Sequence, residues 1–304
     1  MKILKIVSNT KYFVSVSVSL IIIGIIFIII NGLNLGIDFT GGTIMTVNMS
    51  GTYQVNDITN VLNNYGLKDA AVAESGENQV KDKAVIRMKD FNTPDKETEI
   101  RGKILKDIQV KYPKAQLESI EKVGATAGRE MIQNAFYSVV MACILMLIYI
   151  WFRFELLFGV AAVIALVHDV AFMTAAVAIL KIPVNSSFIA AVLTIIGYSI
   201  NDTIVVFDRI RENNKKFNRK QKSRSDIVDV SITETMTRSI NTVLTVVITT
   251  TAIYVLGVES IKEFALPLLV GLISGCYSSI FIASPIWCVW ADHNDKKRLT
   301  PQKA

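Results

Sequence analysis

The chain has 304 residues, 51% of them hydrophobic, and a formal net charge of +6 at pH 7. With a mean hydropathy of +0.43, it is too apolar for an ordinary soluble domain, yet it carries enough charge for a sizeable polar part. The three cysteines, Cys143, Cys276 and Cys288, all lie in apolar segments. They read as packing residues, and no disulfide framework is implied for the polar region between residues 31 and 130.

In chain order, Lys2, Lys5 and Lys11 precede an apolar run from Tyr12 to Ile30. The run ends in Ile-Ile-Ile-Asn-Gly without a small-x-small cleavage site, and further apolar segments follow. It is therefore expected to be an uncleaved first membrane helix with its N-terminus in the cytoplasm, and not a signal peptide. Residues 31 to 130 are rich in charge and hold no spanning segment. Thr43–Met49 alternates like a strand. Val55–Tyr65 puts Val55, Ile58, Val61 and Leu62 on one helical face. Ala70–Glu74 and Ala84–Met88 read as strands of a hairpin through Gly76–Asp82. Pro94–Tyr112 reads as a helix with Thr93 as N-cap and Ile100, Ile104, Leu105 and Ile108 on its apolar face, and Gln116–Val123 is a final strand. The order βαββαβ is the ferredoxin-like split motif, and about 80 residues suffice for an independent domain.

Five more spanning segments are expected, near Gln133–Phe152, Leu156–Leu180, Val184–Phe207, Ile240–Leu256 and Phe264–Trp290. Arg153 to Glu155 is a very tight turn, and Lys181–Pro183 and Val258–Glu263 are equally short links on the opposite side. From Arg209 to Arg238 there are nine Lys/Arg against four Asp/Glu. Phe217 is the only aromatic residue there, so the stretch reads as a positive-inside loop and not as a nucleic-acid surface. The reading is an α-helical polytopic membrane protein with six transmembrane helices, both termini cytoplasmic, and one outside domain. Its divisions are residues 1–30, 31–130, 131–290 with a basic cytoplasmic loop at 208–239, and a tail at 291–304.

Ionisable groups inside apolar runs are the candidates for chemistry, because a membrane-embedded charge is costly and normally faces a bundle interior. Asp202 stands foremost, flanked by Asn201 and Thr203. Arg238, at the start of the fifth segment, falls at a similar depth. It favours ionised Asp202, whereas burial favours the protonated form, and that competition is what a proton carrier needs. A static ion pair or a headgroup anchor is the plainer reading. Arg238, Thr242, Thr245 and Thr249 share one helical face, either lining a water wire or bonding back to their own helix. His168-Asp169 in the third segment is either a relay element or a packing pair. Asp208 is either a relay member or a carboxylate that anchors the helix end. Gly271, Gly275 and Ser279 recur at four-residue spacing as a helix-packing face without chemistry. No GxxxxGK[ST], HExxH or CxxC run is present, so no nucleotide, metal or cofactor site and no enzymatic activity is expected. Any energy source must then come from a partner or from an ion gradient, and a gradient is enough in principle, at roughly 2.3 kcal/mol per charge across 100 mV.

Gly36-Ile-Asp-Phe-Thr-Gly-Gly42 resembles the GxDFxGG signature of the SecD/SecF family, here carried by Gly36, Asp38, Phe39, Gly41 and Gly42. Ile196 to Asn213, with Gly197, Asp202 and Arg209, is similar to the fourth-helix signature of the SecF branch. Arg238 to Thr242 and His168-Asp169 match as well, so the resemblance covers nearly the whole chain. It implies one half of a bundle of the resistance-nodulation-division (RND) type, pairing with SecD and associating with the SecYEG channel. It further implies a bacterial cytoplasmic membrane and ion-driven assistance to unfolded preproteins on the extracytoplasmic side, driven by protons or, in some members, sodium. The family's essential aspartate and arginine fall on Asp202 and Arg238. A proline common after the Val-Gly that leads into the second helix is absent from Val123-Gly-Ala-Thr-Ala-Gly128. A small-molecule exporter of the same superfamily and a passive scaffold are the competing readings. Exporters usually carry two large outside domains and twelve helices, and a scaffold has no need of Asp202.

Overall fold

A computed structural model describes residues 3–67, 70–75, 82–88, 94–217, 222–257 and 259–299. Among these, six helical stretches are long and apolar enough to cross a membrane. The first is α1 (Thr10–Asn31), which leads through the single turn α2 (Ile37–Thr40) into a sheet domain. That domain runs β1 (Gly42–Asn48), α3 (Val55–Asn64), β2 (Ala71–Ser75), β3 (Lys83–Met88), α4 (Pro94–Lys111) and β4 (Gln116–Val123). The sheet is antiparallel throughout, in the order β2-β3-β1-β4. This is the ferredoxin-like arrangement expected from the sequence. Its core is made by the inward positions of the strands and the apolar stripes of both helices. Met45, Val47, Ile86 and Met88 meet Ile58, Leu62, Ile104 and Ile108, all nearly inaccessible. Thr93 and most of the expected hairpin turn lie outside the described residues.

The bundle continues with α5 (Ala125–Arg153), α6 (Leu156–Ile179), α7 (Ser186–Lys216) and α8 (Arg224–Leu256). It closes with α9 (Glu259–Ser278), a π-helical segment (Ser279–Ala283) and α10 (Ser284–Leu299), which form one continuous rod. Lipid is as apolar as leucine, so these helices associate by close packing more than by a hydrophobic drive. Accordingly α6 buries Gly159, Ala161, Ala162 and Ala165, and α1 brings Gly24 against Ala175, where a Cβ would overlap.

Two boundaries differ from expectation. The stretch 208–239, read as a basic loop, is almost entirely helical: α7 runs on to Lys216 and α8 begins at Arg224. The reason is local. Ser223 and Asp226 form a capping box at the start of α8, and Ile227, Val228, Val230 and Ile232 bury an apolar stripe. The link expected at Val258–Glu263 is likewise shorter, because α9 already starts at Glu259.

The bundle has two distinguishable ends. At the sheet end, Leu35 and Val184 form a parallel bridge, and Gly36 N donates to Val184 O at 2.8 Å. At the opposite end, the backbone N–H groups of Ile6 and Val7 donate to Asp229 of α8 at 2.9 and 2.8 Å. The α5–α6 turn lies there too, where Arg153 reaches Asp208 of α7 at 3.8 Å.

The glycine signature shapes the junction between bundle and sheet. Gly41 has φ +74°, a left-handed conformation that turns the chain out of α2 into β1. Phe39 is buried. A Cβ on Gly128 of α5 would lie 2.6 Å from Phe39 O. Gly128→Val is therefore expected to destabilise the junction by about 1–3 kcal/mol, read as a lower melting temperature of the purified protein. An unchanged melt would mean that α5 does not press on this turn.

Candidate functional site

Helices α6, α7 and α9 bring two carboxylates into the bundle interior. Asp169 is 0% exposed and Asp202 is 6% exposed. Asp169 Oδ2 accepts hydrogen bonds from Ser199 Oγ of α7 at 2.6 Å and from Ser278 Oγ of α9 at 2.7 Å. Its Oδ1 accepts from Ser274 Oγ at 2.7 Å and lies 3.2 Å from His168 Nδ1. His168 Nε2 is in turn 2.8 Å from Ser17 Oγ of α1. Three hydroxyl donors and an imidazole leave this carboxylate little capacity for another ligand, so it works as a polar knot among α6, α7 and α9.

Asp202 is held differently. Ser279 Oγ donates to its Oδ2 in a short hydrogen bond. Ser239 of α8 adjoins the same carboxylate, but its buried hydroxyl has no hydrogen-bond partner in good geometry. A crevice of about 10 Å³ beside Asp202, bounded by Gly271, Gly275 and Val243, is near the lower limit for a single water molecule. Asp202 therefore keeps acceptor capacity that Asp169 has already committed.

Adjacent residues of α9 serve the two carboxylates, Ser278 for Asp169 and Ser279 for Asp202. The helix changes from α to π at Ser279. Single π turns inside α-helices are concentrated at functional sites, because they re-aim side chains without breaking the rod. Gly271 and Gly275 give α9 its close approach to α7: a Cβ at Gly271 would sit 2.4 Å from Ile195 Cγ1, and one at Gly275 3.1 Å from Ser199 Cβ. The expected packing face is thus present, with one correction. Ser279 does not merely pack; it bonds the candidate ion carrier.

The remaining candidates lie outside this interior. Arg238 is exposed and sits within electrostatic range of Asp202 without an ion pair to it. It lines a charged cavity of about 610 Å³ with Asp208, Arg209, Arg211, Glu212 and Glu234. Asp208 pairs with Arg211 at 3.0 Å and with Arg153 at 3.8 Å, which is the anchoring reading. Arg209 is forked between Glu234 at 2.7 Å and Glu212 at 2.6 Å, tying α7 to α8. Asn201, Gly197 and Thr242 are exposed, and a Cβ on Gly197 would meet no atom of this chain within 4 Å. Thr245 donates to Thr242 O at 2.8 Å and Thr249 to Val246 O at 3.0 Å. Their hydroxyls are thus spent on their own helix, as threonine in an apolar helix tends to do.

At the sheet end, the signature aspartate caps α7. Asp38 Oδ2 accepts from Ser186 N at 2.9 Å and from Ser186 Oγ at 2.6 Å. Asn185 caps the same helix by accepting from Phe188 N at 3.1 Å. A carboxylate at a helix N-terminus satisfies free N–H groups and complements the helix dipole.

Sequence reasoning missed Ser199, Ser274, Ser278, Asn185 and Glu263. The four-residue spacing of Ser274 and Ser278, in register with Gly271 and Gly275, was the available signal for a polar patch on a packing face.

The fold and the interior carboxylates define a multi-pass membrane protein built like half of an RND-type bundle, with a polar site between its helices. Residues 103–293 match the family model "Protein export membrane protein SecD/SecF, C-terminal", and residues 26–52 match the "SecD/SecF GG Motif". The chain is 38% identical over 288 residues to protein translocase subunit SecF of Acidaminococcus fermentans, covering 94% of this chain and 97% of that protein. It is 41% identical to protein translocase subunit SecDF of Bacillus subtilis, covering 95% of this chain but only 38% of that longer protein. The crystal structure of SecDF from Thermus thermophilus superposes with a TM-score of 0.81 at 30% identity, over 96% of this chain and 39% of that one. The chain belongs to the SecD/SecF family of protein export membrane proteins, and its role lies in protein transport by the Sec pathway.

Proposed function

We propose that this chain, together with SecD, couples an ion gradient to preprotein export across a bacterial cytoplasmic membrane, and that Asp202 is the coupling group. The carrying observation is the contrast between the two buried carboxylates. Asp169 is saturated by three serines, whereas Asp202 has one close hydroxyl donor, a water-sized crevice and Arg238 nearby. A group that must bind and release an ion needs such uncommitted capacity. Protons are the ion of choice, since a carboxylate with a single hydroxyl partner accepts a proton without any further ligand.

The pairing with SecD is supported by what this half bundle leaves uncovered. Gly197 and Asn201 on α7 and Arg238 and Thr242 on α8 all face outward beside the site. Ile240, Leu244 and Ile248 expose about half or more of their surface. A glycine that meets nothing in its own chain invites close approach by a partner helix. In the Bacillus subtilis and Thermus thermophilus relatives, the matching part is joined to a much longer chain. The sheet domain then lies outside, facing unfolded preprotein, and both termini lie with the basic α7–α8 end in the cytoplasm, beside the SecYEG channel. The chain has no enzymatic role in this account.

The test is export of a secreted reporter by cells dependent on this chain, with and without an uncoupler. The increment the chain contributes should vanish when the gradient collapses; an increment indifferent to the gradient contradicts the reading. Arg238→Lys keeps the charge but loses the planar fork, so a partial loss of that increment is expected. Full activity would reduce Arg238 to an anchor.

A further inference from the structure

A second polar cluster lies at the sheet end of the same helices. Glu263, in the first turns of α9, is 9% exposed. Its Oε1 is ion-paired to Arg87 Nη1 of β3 in the sheet domain. Its Oε2 accepts from Asn185 Nδ2 at 2.6 Å. Asn185 caps α7 through Phe188 N, and the next residue, Ser186, is bound by Asp38 of the turn that opens into β1. One carboxylate thus joins a membrane helix, the cap of another and the penultimate residue of an inner strand of the domain sheet.

Sixteen residues separate Ser186 from Asp202 on α7, and sixteen separate Glu263 from Ser279 on α9. At 1.5 Å per residue both lengths are about 24 Å. Helices α7 and α9 therefore act as two parallel rods of equal length. They share the Ser279–Asp202 hydrogen bond inside the bundle and the Glu263–Asn185 hydrogen bond at the sheet end. The rod α9 also carries two backbone irregularities, one near each joint. Pro267 lies inside it, lacks the N–H that would bond Glu263 O, and so loosens the helix next to Glu263. The π segment begins at Ser279. Beside Glu263 lies an open cavity of about 380 Å³, bounded by Tyr254, Val255, Lys262 and Leu266.

The geometry points to Glu263 as a positioning residue. With Arg87 and Asn185 it forms a latch that sets the pose of the sheet domain and transmits the state of Asp202 to it. This rests on the coupling reading for its input, though the latch itself is read independently. When the Ser279–Asp202 bond is made or broken, α9 shifts against α7; the shift reaches Glu263, and Arg87 carries it to the central part of the sheet. Arg87 pairs across β3 with Ile44 and Ala71, so a pull on it acts on three strands at once.

The experiment measures distances between spin labels at Val110→Cys, on α4 of the domain, and Leu180→Cys, at the sheet end of α6. It uses the full chain with SecD in lipid nanodiscs, with the three native cysteines replaced by alanine. Both label sites are exposed, at 83% and 57%. A single narrow distribution is expected for the otherwise unaltered protein, and a shifted one for Asp202→Asn. Arg87→Gln and Glu263→Gln should each broaden the distribution and abolish that shift, and the exchange Arg87→Glu with Glu263→Arg should narrow it again in part, because the ion pair is remade while Asn185 Nδ2 loses its acceptor. Distributions and shift that survive both single substitutions overturn the latch, and so does an Asp202→Asn protein whose distance does not move. Failure of the coupling reading shows separately, as proton flux through the same proteins in sealed proteoliposomes that is indifferent to Asp202→Asn.

Discussion

Asp202→Asn is expected to assemble normally and to lose essentially all gradient-dependent export. The amide matches the carboxylate in size, so the bundle stays folded, but it is neutral and a weaker acceptor for Ser279, so the α7–α9 link is loosened as it is when the carboxylate is protonated. What disappears is the ability to alternate between a charged and a neutral form. A buried carboxylate in an apolar bundle is costly, and replacing it by a neutral isostere is not expected to lower stability. Yield and melting temperature should therefore match the unaltered protein while the reporter is secreted only at the level seen with the gradient collapsed. Normal export by this variant would remove Asp202 from the mechanism. A collapse in yield would instead make the residue structural.

Asp169→Ala is expected to have the opposite profile, a large loss of stability. Removing the carboxylate leaves Ser199, Ser274 and Ser278 without their common acceptor and opens a cavity among α6, α7 and α9. Part of the loss is recovered because Ser278 already contacts Gly275 O of its own helix at 3.2 Å. Uncompensated buried polar groups cost about 1–3 kcal/mol each. A net destabilisation of about 2–4 kcal/mol is reasonable for three hydroxyls with partial rescue. The measurement is the melting temperature in detergent. An unchanged melt would mean that the serine cage does not hold the bundle, and Asp169 would then rejoin Asp202 as a candidate carrier.

The contrast between these carboxylates marks what the sequence could disclose. Both were visible as charges inside apolar runs, and their helices were visible as hydropathy. Their difference was not, because it depends on which serines of α7 and of the α9 rod turn toward each, and the spacing of Ser274 and Ser278 marks a polar patch without saying which carboxylate it serves. The ferredoxin-like domain was legible strand by strand, since alternation and 3.6-residue periodicity are local properties. The 208–239 stretch misled because a charge-rich amphipathic helix resembles a loop when hydropathy is the guide. The Ser223-x-x-Asp226 cap was the local sign that a helix begins there. The glycine signature was recognisable as a motif, but its work is long-range. Asp38 caps a helix 148 residues further along the chain, and no local pattern could reveal that.

The ion-carrying role of Asp202 is tested most directly by proton flux. Proteoliposomes holding this chain with SecD and a trapped pH-sensitive dye would be given an imposed proton gradient. The account predicts that protons enter through the unaltered complex and that Asp202→Asn abolishes this entry while the protein remains incorporated and folded. Equal flux through both proteins, or none through either, would contradict it.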